Sequence, residues 1–237
     1  MVFYNALAFA VLLGLALAFV HYFSDSIHLA HRKRRMKILS FTAGIFLVYL
    51  FLDLLPTIHL GDTALTRFSL VFIVIGFSVL HLAEKFVYER EYKNTEVLKR
   101  ELREIHSLSF FIYHFFIGIL LVNILENVSA VAALLFFIPV FLHTSLSSLS
   151  LNKIHGSVKE NVFARIALSF STMAGILAGY LVSISLATFH VLLGLLIGVL
   201  LYIVIADSIP REREGDPKYF LLGIIVYSLL ISISWAI

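Results

Sequence analysis

Eight runs of about 20 predominantly apolar residues fill most of this chain, and few folds accept such a pattern. They fall near 3–24, 38–57, 67–88, 105–125, 129–152, 162–184, 187–208 and 218–237. As helices, each is long enough to cross ~30 Å of hydrocarbon. The runs are continuous and do not alternate with a period of two, which predicts helices and not barrel strands. Hydrophobic residues make up 60% of the chain and charged ones 14%, whereas soluble domains run nearer half and a quarter, about 50% and 25%. The first run reads as a span and not as a cleaved signal, because its Lys and Arg follow the apolar stretch instead of preceding it. The expected fold is an all-α, polytopic membrane protein with eight transmembrane helices in one domain over 1–237. Helices 1–3 occupy 1–88, a polar loop 89–104, central helices 4 and 5 residues 105–152, and helices 6–8 residues 162–237.

The basic residues set the orientation. Arg32, Lys33, Arg34, Arg35 and Lys37 follow helix 1, and a second group from Lys85 to Arg103 follows helix 3. Lys153, Lys159 and Arg165 lie between helices 5 and 6, and Arg211, Arg213 and Lys218 between helices 7 and 8. Together these are 17 of the 18 Lys and Arg residues; only Arg67 lies on the other side. The positive-inside rule makes those loops cytoplasmic and both termini external. The segment EREYKNTEVLKRELRE over 89–104, with Glu96–Arg100 and Lys99–Arg103 at helical spacing, reads as a solvated helix leading into helix 4.

A pattern within two of the runs occurs twice. Gly44, Asp53 and Pro56 of AGIFLVYLFLDLLP return as Gly198, Asp207 and Pro210 of IGVLLYIVIADSIP at the same spacing. Helix 2 runs outward and helix 7 inward, so the duplication has inverted topology. Helices 1–3 then match helices 6–8 around a central pair, a 3+2+3 arrangement typical of secondary transporters. Gly76 in helix 3 and Gly223 in helix 8 occupy corresponding places.

Ionisable groups inside hydrocarbon are costly and so are candidates for function. His114 falls in the middle of helix 4 and His143 in helix 5, where Thr144, Ser147 and Ser148 follow and His143 and Ser147 share a face. Pro139, one turn before His143, removes a backbone hydrogen bond and predicts a kink. Imidazole is the commonest ligand of zinc and related ions. Asp53, His21 and His190 lie nearer span ends, while His28, His31, His81, His106 and His155 read as solvated, with His81 and Glu84 one turn apart and able to pair. With no cysteine, disulfides and thiolate metal sites are excluded. A net charge of +3, carried in loops, does not make a nucleic-acid surface. No nucleophile or acid–base constellation marks an enzyme, and no resident cofactor is implied. The absence of cysteine and of a cleavable signal fits a bacterial-type inner (cytoplasmic) membrane.

The order of these motifs resembles the ZIP (Zrt/Irt-like) family of divalent metal transporters. AGIFLVYLFLDLLP resembles that family's second helix, IGFSVLHLAEKFVYER with Glu84-Lys85 its third, and LLIGVLLYIVIADSIPRE followed by FLLGIIVYSLLIS its seventh and eighth. The resemblance spans essentially the whole chain. It implies transport of a divalent metal ion such as zinc, and a homodimer in the bilayer. It also implies a metal path between helices 4 and 5, where the family carries motifs like H-N/S-x-x-D/E-G and H-x-x-P-E-G. His114 and His143 match the two histidines, whereas Gly118 and Ser147 stand where the carboxylates belong, and Asp53 stands where helix 2 usually has a histidine. The implied metal-contacting residues are therefore His114, His143, Ser147 and Asp53. The missing carboxylates keep two alternatives open: a transport-inactive membrane scaffold or sensor on the same fold, or a transporter of a non-metal solute.

Overall fold

The structure, a computed structural model, describes residues 2–24, 32–59, 63–91, 94–155, 162–205 and 215–236. Among the described residues it is all helix and turn, with no strand. The helices are α1 (Val2–Ser24), α2 (Arg32–Tyr49), α3 (Leu55–His59), α4 (Thr63–Glu91), α5 (Thr95–Asn127) and α6 (Ala130–His155). They continue as α7 (Val162–Ser169), α8 (Ser171–Leu181), α9 (Leu186–Ile203) and α10 (Pro217–Trp235). Six apolar helices are long enough to cross a membrane: α1, α2 with α3, α4, α5, α9 and α10. The pair α7 and α8, bent by 40°, makes a seventh if it is one span, and α6 is apolar over Ala130–Leu146. The chain is a multi-pass membrane protein.

Local chemistry sets the helix starts. Asn94 accepts a hydrogen bond from the Val97 amide at 3.2 Å and begins α5, so the polar segment and the apolar one form a single rod. Along it Glu96 meets Lys99 at 3.7 Å and Arg100 meets Glu104 at 4.0 Å, a different pairing from the one the spacing suggested. Ser129, Ser185 and Asp216 cap α6, α9 and α10 in the same way. Gly215, with φ 125°, supplies the left-handed turn just before Asp216 and Pro217. Pro139 does not interrupt α6, which runs through it as one helix. The segment expected as a continuous span over 162–184 is instead broken at Phe170 (φ −91°, ψ 4°), where no Gly or Pro marks the bend.

Three helix pairs form the frame: α2 with α10, α4 with α9, and α5 with α8. In each the contacting residue numbers rise together, as from Ser40–Asp216 to Tyr49–Tyr227 at α2 and α10, so the partners run parallel. Each pair crosses at glycine on glycine. A Cβ on Gly44 would meet the Phe220 carbonyl oxygen at 2.3 Å, and one on Gly223 the Phe41 carbonyl at 2.2 Å. The Gly198–Gly76 crossing has the Ile73 and Leu195 carbonyls at 2.1 and 2.4 Å, and Gly118–Gly175 has those of Thr172 and Phe115 at 2.2 and 2.0 Å. Lipid gives no hydrophobic drive between helices, so close backbone approach through small residues holds such pairs.

Between α2 and α3 the helix widens into a π turn over Leu50–Leu54, in which the Leu55 amide bonds the Leu50 carbonyl. A second π turn begins at Val204, directly after α9. The first starts six residues after Gly44 and the second six residues after Gly198. Asp207 and Pro210 lie outside the described residues. The outer faces of α4 and α10 expose Phe68, Val74, Leu82, Leu221 and Leu229, as a lipid-facing surface does.

Candidate functional site

Helix α5 carries His114 into the centre of the bundle, where it is 2% exposed. Its Nε2 lies 3.2 Å from the Thr144 hydroxyl of α6, and its Nδ1 lies 2.9 Å from the Thr172 hydroxyl of α8. Thr144 donates its own proton to the Val140 carbonyl at 2.8 Å, so toward His114 it accepts. The ring proton is thereby assigned to Nε2, and Nδ1 accepts from Thr172. Phe110, one turn earlier, stacks on the imidazole at 4.0 Å. His21 of α1 packs on the same Phe110 at 4.2 Å and bonds the Ser169 hydroxyl through Nδ1 at 2.9 Å. A polar seam of imidazoles and hydroxyls thus runs from the C-terminal end of α1 to the middle of α5.

His143, one residue before Thr144, is partly buried, and Tyr113 links it to His114, whose ring lies 4.5 Å from that of Tyr113. The Phe46 ring of α2 meets His143 edge-on at 5.5 Å, and Tyr113 lies 6.5 Å away. No described residue hydrogen-bonds its ring nitrogens. Of the two imidazoles, His143 is the one with a lone pair open to a ligand, whereas a metal at His114 must displace a hydroxyl.

The structure brings two of the four sequence-derived site residues together and separates a third. Asp53 sits in the π turn, seven residues beyond Phe46 and one turn beyond Tyr49. Tyr49 is flanked by Phe136 and Tyr227, both at 6.2 Å, and Tyr227 donates to the Leu135 carbonyl at 2.6 Å. The Ser147 side chain lies outside the described residues. Among the described residues no three His, Asp or Glu side chains form a group that would hold a metal ion.

Gly118 has a structural reason to lack a side chain. It is the crossing point of α5 with α8, and a carboxylate there would run into the Thr172 carbonyl. The sequence reading missed Thr172, Ser169 and the part played by Thr144. A stripe of small residues in α8 (Thr172, Gly175, Gly179) was the available signal that this face meets another helix. His190, read as peripheral, is buried and bonds Ser69 of α4 at 3.2 Å. His106, read as solvated, is only 19% exposed and faces Glu84, which therefore pairs with α5 and not with His81.

Fold and site define a class: an all-helical, multi-pass membrane protein with a histidine–hydroxyl seam in its interior. Comparison with protein families and with curated proteins gives no match to this chain.

Proposed function

We propose that this chain is a ZIP-like transporter of divalent metal cations, zinc or a related ion, with eight spans in an inverted 3+2+3 repeat. The observation that carries this reading is the placement of His114 and His143 about the same Tyr113 ring inside the bundle, at 4.5 and 6.5 Å. The repeat draws support from equal geometry at its two copies. Gly44 lies against the residues three before and one after Gly223, and Gly198 against those three before and one after Gly76. A π turn begins six residues after each. Pairing of helix 2 with 8 and of helix 7 with 3 is what exchanging the two halves requires. A cation passing His143 is held by imidazole and hydroxyl alone, so the site binds loosely and releases readily, as conduction needs. In this reading Asp53 serves the path near one mouth and Ser147 as an auxiliary oxygen donor. The test is uptake of Zn, Mn, Fe and Co into vesicles containing the purified protein. Saturable uptake of at least one, abolished in His114→Ala/His143→Ala, upholds the reading; uptake unaffected by the double variant overturns it.

One observation favours a second reading, a non-metal solute or no transport at all. Both His114 nitrogens are taken by hydroxyls, and the Gly118 crossing shuts out a carboxylate that would balance a dication. Absence of saturable zinc or cadmium binding, with intact folding, selects it.

A further inference from the structure

Glu84 is an acidic side chain within a span, in α4, apart from the histidines of the proposed path. It lies toward the end of α4, where α5 and α9 meet it, and its side chain is 17% exposed. Its Oε2 accepts a hydrogen bond from the Tyr202 hydroxyl at 2.7 Å. Its Oε1 lies 3.4 Å from His106 Nε2. No lysine or arginine among the described residues pairs with it: the adjacent Lys85 turns to Glu89 at 3.7 Å. The polar surroundings are a hydroxyl and an imidazole, with no lysine or arginine of the described residues among them. Such a group calls for a cation.

The geometry indicates which kind. A separation of 3.4 Å is long for a hydrogen bond. It matches the ligand-to-ligand edge, about 3.4 Å, of a tetrahedral ion with bonds of about 2.0–2.2 Å to nitrogen and oxygen. Tyr202 holds the other carboxylate oxygen, the outer support that orients a ligating carboxylate. Its ring is fixed in turn by Phe77 at 5.5 Å and His81 at 6.0 Å. We propose that Glu84 and His106 form a binding site for a divalent cation of the zinc class between the ends of α4 and α5, completed by water and separate from His114 and His143. With two protein ligands the site exchanges its ion freely. Partial exposure of both side chains gives the ion a way in.

Zinc titration of the purified full chain, read by calorimetry, tests this. Wild type and His114→Ala/His143→Ala are expected to share a saturable event that weakens about tenfold or more in Glu84→Gln and in His106→Gln. Glu84→Gln keeps an oxygen toward Tyr202 and removes only the charge. X-ray absorption of the zinc-loaded double variant is expected to show nitrogen and oxygen neighbours including one imidazole. Should either single variant fold poorly, the other carries the test, together with the zinc-induced rise in the thermal midpoint of the double variant. No zinc binding by wild type, binding unchanged in both single variants, or binding lost in the double variant overturns the site. Failure of metal uptake with this binding intact overturns the transport reading alone.

Discussion

Replacing Gly198 by alanine tests the central packing claim, that backbone-to-backbone crossings hold the bundle. The added Cβ would sit 2.1 Å from the Ile73 carbonyl oxygen and 2.7 Å from the Phe77 amide nitrogen, both in α4. Neither atom can move alone, so α4 and α9 must separate by about 1 Å or more along their contact to restore ordinary carbon–oxygen spacing. Overpacking of this kind costs about 1–3 kcal/mol, and a backbone clash belongs at the upper end. Alanine recovers about 1 kcal/mol of helix propensity. The net expectation is a loss of about 2 kcal/mol, roughly thirtyfold in the folding equilibrium. Gly14→Ala is the control. Its Cβ would meet the Ile176 Cδ1 at 2.5 Å and the Met173 Sδ at 2.7 Å, the ends of flexible side chains that can swing aside. That change is expected to be neutral within about 0.5 kcal/mol. Reversible unfolding of both variants in mixed micelles, followed by circular dichroism, gives the two values. Equal stability of Gly198→Ala and wild type, or an equal loss in Gly14→Ala, would refute the reasoning.

Three further outcomes follow from the same geometry. His114→Ala strips the Thr172 hydroxyl of its partner in a buried site and is expected to lose about 2 kcal/mol, with His114→Gln restoring part of it, in the same unfolding assay. Tyr227→Phe removes the 2.6 Å bond to the Leu135 carbonyl and should cost about 1 kcal/mol; an unchanged unfolding midpoint would count against that bond. The chain has no cysteine, so single cysteines report sidedness directly. In intact cells an impermeant maleimide should label Val128→Cys and spare Glu96→Cys, and the reverse pattern would invert the topology.

The sequence discloses rods better than it discloses their junctions. Long apolar runs made α1, α4, α5, α9 and α10 readable, because hydrocarbon thickness imposes one length on them all. The duplicated glycine and aspartate drew attention to Gly44 and Gly198, but their seats opposite Gly223 and Gly76 are facts of tertiary packing. The π turn at Leu50 and the bend at Phe170 carry no local signature: LFLDL and SFS are ordinary helix residues, and the surroundings decide their geometry. At the site, His114 and His143 were visible because ionisable residues are rare in such a background. Thr172 was not, since a hydroxyl bonding its own helix and one bonding a distant imidazole look alike in sequence.

The glycine-crossed pairs are nested along the chain: α5 with α8 innermost, then α4 with α9, then α2 with α10. During synthesis a helix cannot dock on a partner that has not yet left the ribosome. Gly44 waits for Gly223, 179 residues later, about 10–40 s at ordinary elongation rates. The glycine-crossed pairs therefore close from the inside out, and α2, which can already meet α6, lacks its glycine partner until α10 arrives. A nascent chain stalled before α10 would present the bare Gly44 groove to whatever neighbouring helix the membrane offers, which makes that groove the natural foothold for insertion chaperones or for quality-control proteases.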